Sequence, residues 1–186
     1  PQENAVLSPG GYFIHGINLD YTITLLRTEE PPLQIKKVYE PVPVASGERN
    51  EEETRAIRNM RQTDPNWRWN GPPIPDVKPP YDRFYAGDDG TIWVRVHTAG
   101  VKREDPSYDP ADPESIPDEW REPVLYDVFE SDGTYLGAAR GPEGISRYNQ
   151  PIFTRDWVLA IVRDELDVQR IVKYRVELPG DRQGRD

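Results

Sequence analysis

One pattern constrains this chain more than any other. A β-branched or aromatic run, a turn centred on Gly or Asp, and a second such run recur three times. The last copy, residues 151–178 (PIFTRDWVLAIVRDELDVQRIVKYRVEL), predicts two long strands joined by a short acidic turn. Ser8-Pro9-Gly10-Gly11, Asp89-Gly90 and Asp132-Gly133 mark hairpin turns in the earlier copies. The expected fold class is all-β.

In chain order, residues 4–16 hold two short apolar runs around the first turn, and 21–26 (YTITLL) form a third strand. Residues 33–39 predict a fourth, whose Lys36 and Lys37 suit an exposed edge. Residues 81–97 resume the pattern. Ile92, Val94 and Val96 share one face there, with Trp93, Arg95 and His97 on the other. Runs at 124–129 and 134–140 make the next pair, and 157–162 and 168–176 the last.

Two segments break the β pattern. Within 45–79, Ser46 is placed to cap a helix over 47–62, whose apolar residues are only Ala56, Ile57 and Met60. That helix is expected to dock by one narrow face. The proline-rich run 64–80 follows, an extended segment pinned by Trp67 and Trp69. The second break, 99–117, is an acidic loop punctuated by prolines.

Composition excludes several function classes. The net charge of −10 argues against a nucleic-acid partner, whose phosphates are met by Lys and Arg. It also disfavours anionic membranes. The absence of cysteine removes disulfides, thiolate metal sites and cysteine nucleophiles together. No apolar run approaches the ~18 residues that span a bilayer. A hydrophobic fraction of 35% and mean hydropathy of −0.81 fit long polar loops around modest strands. The chain opens on Pro1 without an initiator Met, as after removal of a leader or in a piece of a longer product, and the second is expected.

The second strands of the three units start near Tyr12, Thr91 and Trp157. With the insertion and the acidic loop set aside, both spacings fall within the roughly 40–50 residues of one propeller blade. The expected domain is a partial β-propeller over 1–178. It has about three four-stranded blades, near 4–44, 80–142 and 146–178, a helical and proline-rich insertion at 45–79, and a disordered tail at 179–186. The third unit lacks a fourth strand.

The segments DRFYAGDDGTIWVRV, PVLYDVFESDGTYLGAARGP and DWVLAIVRDELDVQRIVKYRVEL resemble the C-terminal blades of bacterial six-bladed β-propeller proteins of the NHL/TolB-like kind. The run LDYTITLLRTEEPPLQIKKVYEPVPV resembles the blade before them. The resemblance covers about residues 4–178 and implies a binding or scaffold protein, periplasmic or extracellular. It also implies about six blades. The missing ones would come from a longer chain or from a homodimer mate, because three blades leave raw sheet edges.

Candidate binding residues are His15, His97, Trp67 and Trp69. The two histidines sit at similar places on predicted strands. They read either as satisfied strand residues or as metal ligands or an acid–base pair near a central channel. The two tryptophans read either as anchors of their segment or as a lip for a sugar or peptide. Asp164, Glu165 and Asp167 surround a tight turn and are expected to be solvated. The loop 104–119 lacks the spacing and the glycine of an EF-hand. No cofactor, metal site or catalytic residue is assigned. The expected function is non-catalytic binding of a protein, peptide or small molecule. A metal-dependent propeller hydrolase or lactonase, with His15 or His97 in its channel, is the alternative.

Overall fold

The computed structural model describes residues 1–106, 108–112, 115–142, 144–145, 149–163 and 168–179. It contains thirteen strands in four antiparallel sheets and a single helix among these residues. The fold is thus mostly β, as its runs of β-branched and aromatic residues predict. Among the described residues, no helix is long and apolar enough to cross a membrane. The chain divides into two compact units.

Unit 1 comprises Pro1–Glu40, Pro79–His97 and Val124–Asp186. Its first sheet is a meander of β1 (Glu3–Leu7), β2 (Phe13–Ile17), β3 (Thr22–Leu26) and β4 (Leu33–Lys36). Its second sheet joins β5 (Tyr81–Ala86), β6 (Ile92–Val96), β9 (Leu125–Phe129) and β10 (Tyr135–Arg140) in that spatial order. Its third has β11 (Ile152–Phe153), β12 (Trp157–Arg163) and β13 (Gln169–Arg175). The strands that set the sequence repeat, β2, β6 and β12, are each second in their sheets.

The second sheet is apolar on both faces. On one, Ile92, Val94, Phe84 and Phe129 pack with Ile14, Ile23, Leu25 and Ile35 of the first sheet. On the other, Trp93, Tyr126 and Val128 pack with Phe153, Val158 and Ala160 of the third. Trp93 and Phe153 stack with centroids 4.8 Å apart. Strands covered on both sides must read as continuous apolar runs, and Ile92-Trp93-Val94 does so. The first sheet alternates instead. Ile14 and Gly16 face inward, and Phe13, His15 and Ile17 face outward. A Cβ on Gly16 would lie 2.6 Å from the buried Tyr81 hydroxyl and 2.9 Å from the Thr22 carbonyl oxygen, so glycine leaves room for the Tyr81 side chain against β2.

One buried charge crosses the first interface. Asp127, 2% exposed, accepts hydrogen bonds from the hydroxyls of Tyr21 (2.7 Å) and Tyr135 (2.8 Å) and from Lys37 Nζ (2.6 Å). Lys37 therefore does not decorate an exposed edge. β4 ends at Lys36, and the next side chain turns inward to pair this carboxylate.

Unit 2 comprises Pro41–Lys78 and Thr98–Pro123, the two segments that break the β pattern. It holds α1 (Ser46–Arg61) and a short pair of β7 (Val101–Lys102), which falls within the stretch 99–117 expected to be loop, with β8 (Trp120–Arg121), which follows it. The helix departs from expectation twice. Its N-cap is Ala45 rather than Ser46, and the Glu48 carboxylate reaches back to the Ala45 N–H at 3.4 Å. Its apolar stripe is only partly covered, with Ala56 and Ile57 half-buried. Met60 is 46% exposed, and the buried helical residue is Glu51.

Charge takes the place of apolar contact in unit 2. Lys78 Nζ, on a side chain only 6% exposed, donates to Glu48 Oε1 (2.5 Å), Glu122 Oε1 (2.8 Å) and the Thr98 carbonyl (3.0 Å). Glu51 accepts from Arg55 (3.0 Å) and from the Glu119 N–H (2.9 Å). Arg55 also reaches Asp118 at 3.0 Å. Gly47 lies against the Trp120 indole, where a Cβ would meet the ring at 2.8 Å.

Candidate functional site

The first strands of the sheets in unit 1 are neighbours. Asn4 Nδ2 of β1 donates to the Asp82 carbonyl of β5 (3.3 Å), and Asn18 Nδ2 donates to the Tyr81 carbonyl (3.0 Å). On the other side, the Asp88 N–H donates to the Phe153 carbonyl of β11 at 2.9 Å. Asp89 strengthens that junction. Its carboxylate accepts from the Arg155 N–H at 2.5 Å and from the Thr91 hydroxyl at 2.7 Å. Burial pushes the Asp89 carboxyl upward, but these donors outweigh it and hold it below the ordinary carboxylate range.

A polar cleft of about 300 Å³ lies along these first strands. Asn4 lines it from β1, Arg83 and Tyr85 from β5, and Asn149 and Gln150 from the segment leading into β11. A bulge at Asp82 interrupts the β5–β6 register between Tyr81 and Arg83 and re-aims the following side chain. Arg83 Nε then bonds the Asp82 carboxylate at 3.2 Å, with Arg95 Nε 3.9 Å from the same oxygen. Burial pushes the Tyr85 phenol up, and the nearby Arg83 and Arg95 draw it partly back. Three carboxamides and one guanidinium line the cleft, and none of the described lining residues is acidic. Such walls offer many donors, and a guanidinium fork matches a carboxylate.

The residues singled out from sequence lie elsewhere. His15 stands on the outward face of β2, between Ala5 and Thr24 in register, and its Nε2 is 2.9 Å from Glu3 Oε1. His97 follows the end of β6 and is partly buried. Neither histidine lines the cleft. Trp67 and Trp69, in unit 2, pack edge to face with centroids 6.2 Å apart. Trp69 Nε1 donates to the Gly71 and Pro72 carbonyls, each at 3.0 Å, and Arg61 Nε donates to the Trp67 carbonyl. The pair thus ties its own segment to itself and to the end of α1.

Among the described residues, no group of three or more His, Asp or Glu side chains is placed to hold a metal ion. Asp164, Glu165 and Asp167 lie outside the described residues. Sequence reasoning missed the cleft because its lining is scattered. Asn4, Arg83 and Gln150 carry no motif, and only strand order brings them together. The available signal was the repeat itself, which marks β1, β5 and β11 as equivalent first strands. Compared with protein-family models, with curated proteins and with solved structures, the chain matches none of them.

Proposed function

We propose that this chain is the binding part of a β-propeller-type protein, and that its ligand is a small acceptor-rich molecule, a carboxylate foremost, held in the cleft along the first strands. The observation that carries the reading is the convergence on one polar cleft of Asn4 and Arg83 from two sheets with Asn149 and Gln150 from the segment leading into the third. Successive antiparallel meanders packed face to face, with their first strands together, are what a propeller arc requires. On this reading the three sheets are neighbouring blades, and the two segments of unit 2 are insertions in the chain between β4 and β5 and between β6 and β9.

The outward face of the first sheet supports a continuing arc. Leu7, Phe13 and Leu26 are neighbours in register there and are 59%, 55% and 45% exposed. An apolar row of this kind asks for cover. Further blades of a longer chain, or a homodimer mate, would supply it. The periplasmic or extracellular setting rests on the sequence resemblance alone.

Isothermal titration with citrate tests the binding reading, using the wild-type chain and Arg83→Ala. Saturable heat that falls at least roughly tenfold in affinity in the variant is expected, as for loss of a charged hydrogen-bonding partner. Absence of saturable binding, or equal affinity in both proteins, would refute it.

A further inference from the structure

The three sheets of unit 1 are unequal. Among the described residues two have four strands, and the third stops at β13, the third in its order. A cleft of about 660 Å³ lies against β13. Trp93 and Tyr126 line it from the second sheet, Ala139 from β10, and Val158 and Tyr174 from the third sheet. β10 is the fourth strand of its own sheet, so the cleft lies where a fourth strand of the third sheet would face it. Pro179 sits at this cleft on Gly137, where a Cβ would meet its ring at 2.5 Å.

β13 is also unlike the other outer edges of unit 1. β4 is only four residues long, and β10 is broken by a register shift between Tyr135 and Gly137. β13 pairs with β12 through seven residues without a break. A long regular edge is a template for another strand, whereas short or bulged edges are blunted. Its two faces differ. Val172 and Tyr174 stand opposite the buried Ala160 and Val158. Ile171 and Lys173 occupy the other face, with Ile171 73% exposed and Lys173 Nζ 4.5 Å above the Trp157 ring, and Arg175 follows them at the end of the strand, where it also borders the cleft.

We propose that the β13 edge and this cleft form a receptor for one extended strand of another polypeptide. The strand carries small apolar residues on one face and acidic residues on the other. Added antiparallel to β13, it sets its apolar residues beside Val172 and beside Tyr174, which lines the cleft. Its acidic residues then fall beside Lys173 and Arg175. A second copy of β13 is a poor occupant, because two-fold pairing brings these cations against their own kind. The proposal stands independently of ligand binding at the first strands.

The test titrates two fluorescein-labelled seven-residue peptides into the full chain, one alternating Glu with Val and the other Lys with Val. Anisotropy reports binding, and hydrogen exchange reports its place. The Glu–Val peptide is expected to saturate, to bind roughly tenfold or more tightly than the Lys–Val peptide, and to slow exchange across 169–175. Arg175→Glu should weaken it by a similar factor with an unchanged circular dichroism spectrum. If that variant unfolds, Lys173→Gln provides the same comparison with a smaller loss. Equal affinity for both peptides, no saturation, or protection confined to other strands would overturn the proposal.

Discussion

The two units hold themselves together by opposite means. In unit 1 the second sheet puts Trp93 and Val128 on one face and Ile92 and Val94 on the other, all nearly inaccessible, and a neighbouring sheet covers each face. In unit 2 the buried anchors are Lys78 and Glu51, met by Glu48, Glu122 and Arg55. Apolar burial is non-directional and scales with area, at about 25 cal/mol per Å². Buried charges gain little net stability over apolar residues but cost heavily when one partner is removed. The difference teaches that unit 1 is set by volume and unit 2 by pairing.

The largest expected effect lies in the sheet packed on both sides. Trp93→Ala removes the ring stacked on Phe153 and should cost about 3–5 kcal/mol in urea denaturation. A loss near zero would mean that the second interface is not packed as described. Next comes Lys78→Met, which keeps the volume and leaves Glu48 and Glu122 without their shared cation. It should cost about 1–3 kcal/mol, with faster hydrogen exchange in α1 and unchanged exchange in β6. An unchanged α1 would show that pairing does not hold unit 2.

The comparison sharpens at high pH. Burial first, and the nearby Asp20 second, push the Tyr81 phenol up to about 12, and burial also raises Tyr21 and Tyr126. The unfolded phenol titrates near 10. Below that value both states are protonated and folding is unaffected. As pH rises from about 10 toward 12 the unfolded state ionises first, so unit 1 loses stability. Ultraviolet titration should show these phenols ionising late and together with unfolding. Ionisation of every tyrosine near 10 in the folded protein would contradict their burial.

Strand positions in unit 1 were legible because turn chemistry and periodicity agree. Gly90 and Gly133 adopt φ of 87° and 89°, the left-handed conformation that their hairpins demand. Only one face of β6 was legible as buried, that of Ile92, Val94 and Val96; the other was not, because Trp93 shares it with Arg95 and His97. Lys37 was misread because a lysine after a short strand looks like edge protection, and its partner Asp127 is distant in sequence. Unit 2 was the least legible part. Its two segments read as separate insertions, and nothing local to Lys78 or Glu51 announces the carboxylates and donors that come from the other segment. The cleft at the first strands escaped for the same reason, being a product of topology rather than of spacing.

Native-state hydrogen exchange along the whole chain tests the central claim, that the sheet covered on both faces is the hub of the fold. Amides of β6 and β9 should exchange slowest, through global unfolding only. Those of β13 and α1 should exchange orders of magnitude faster, through local opening. If α1 or β13 proved as protected as β6, or if β6 and β9 exchanged like the edges, the account would be contradicted.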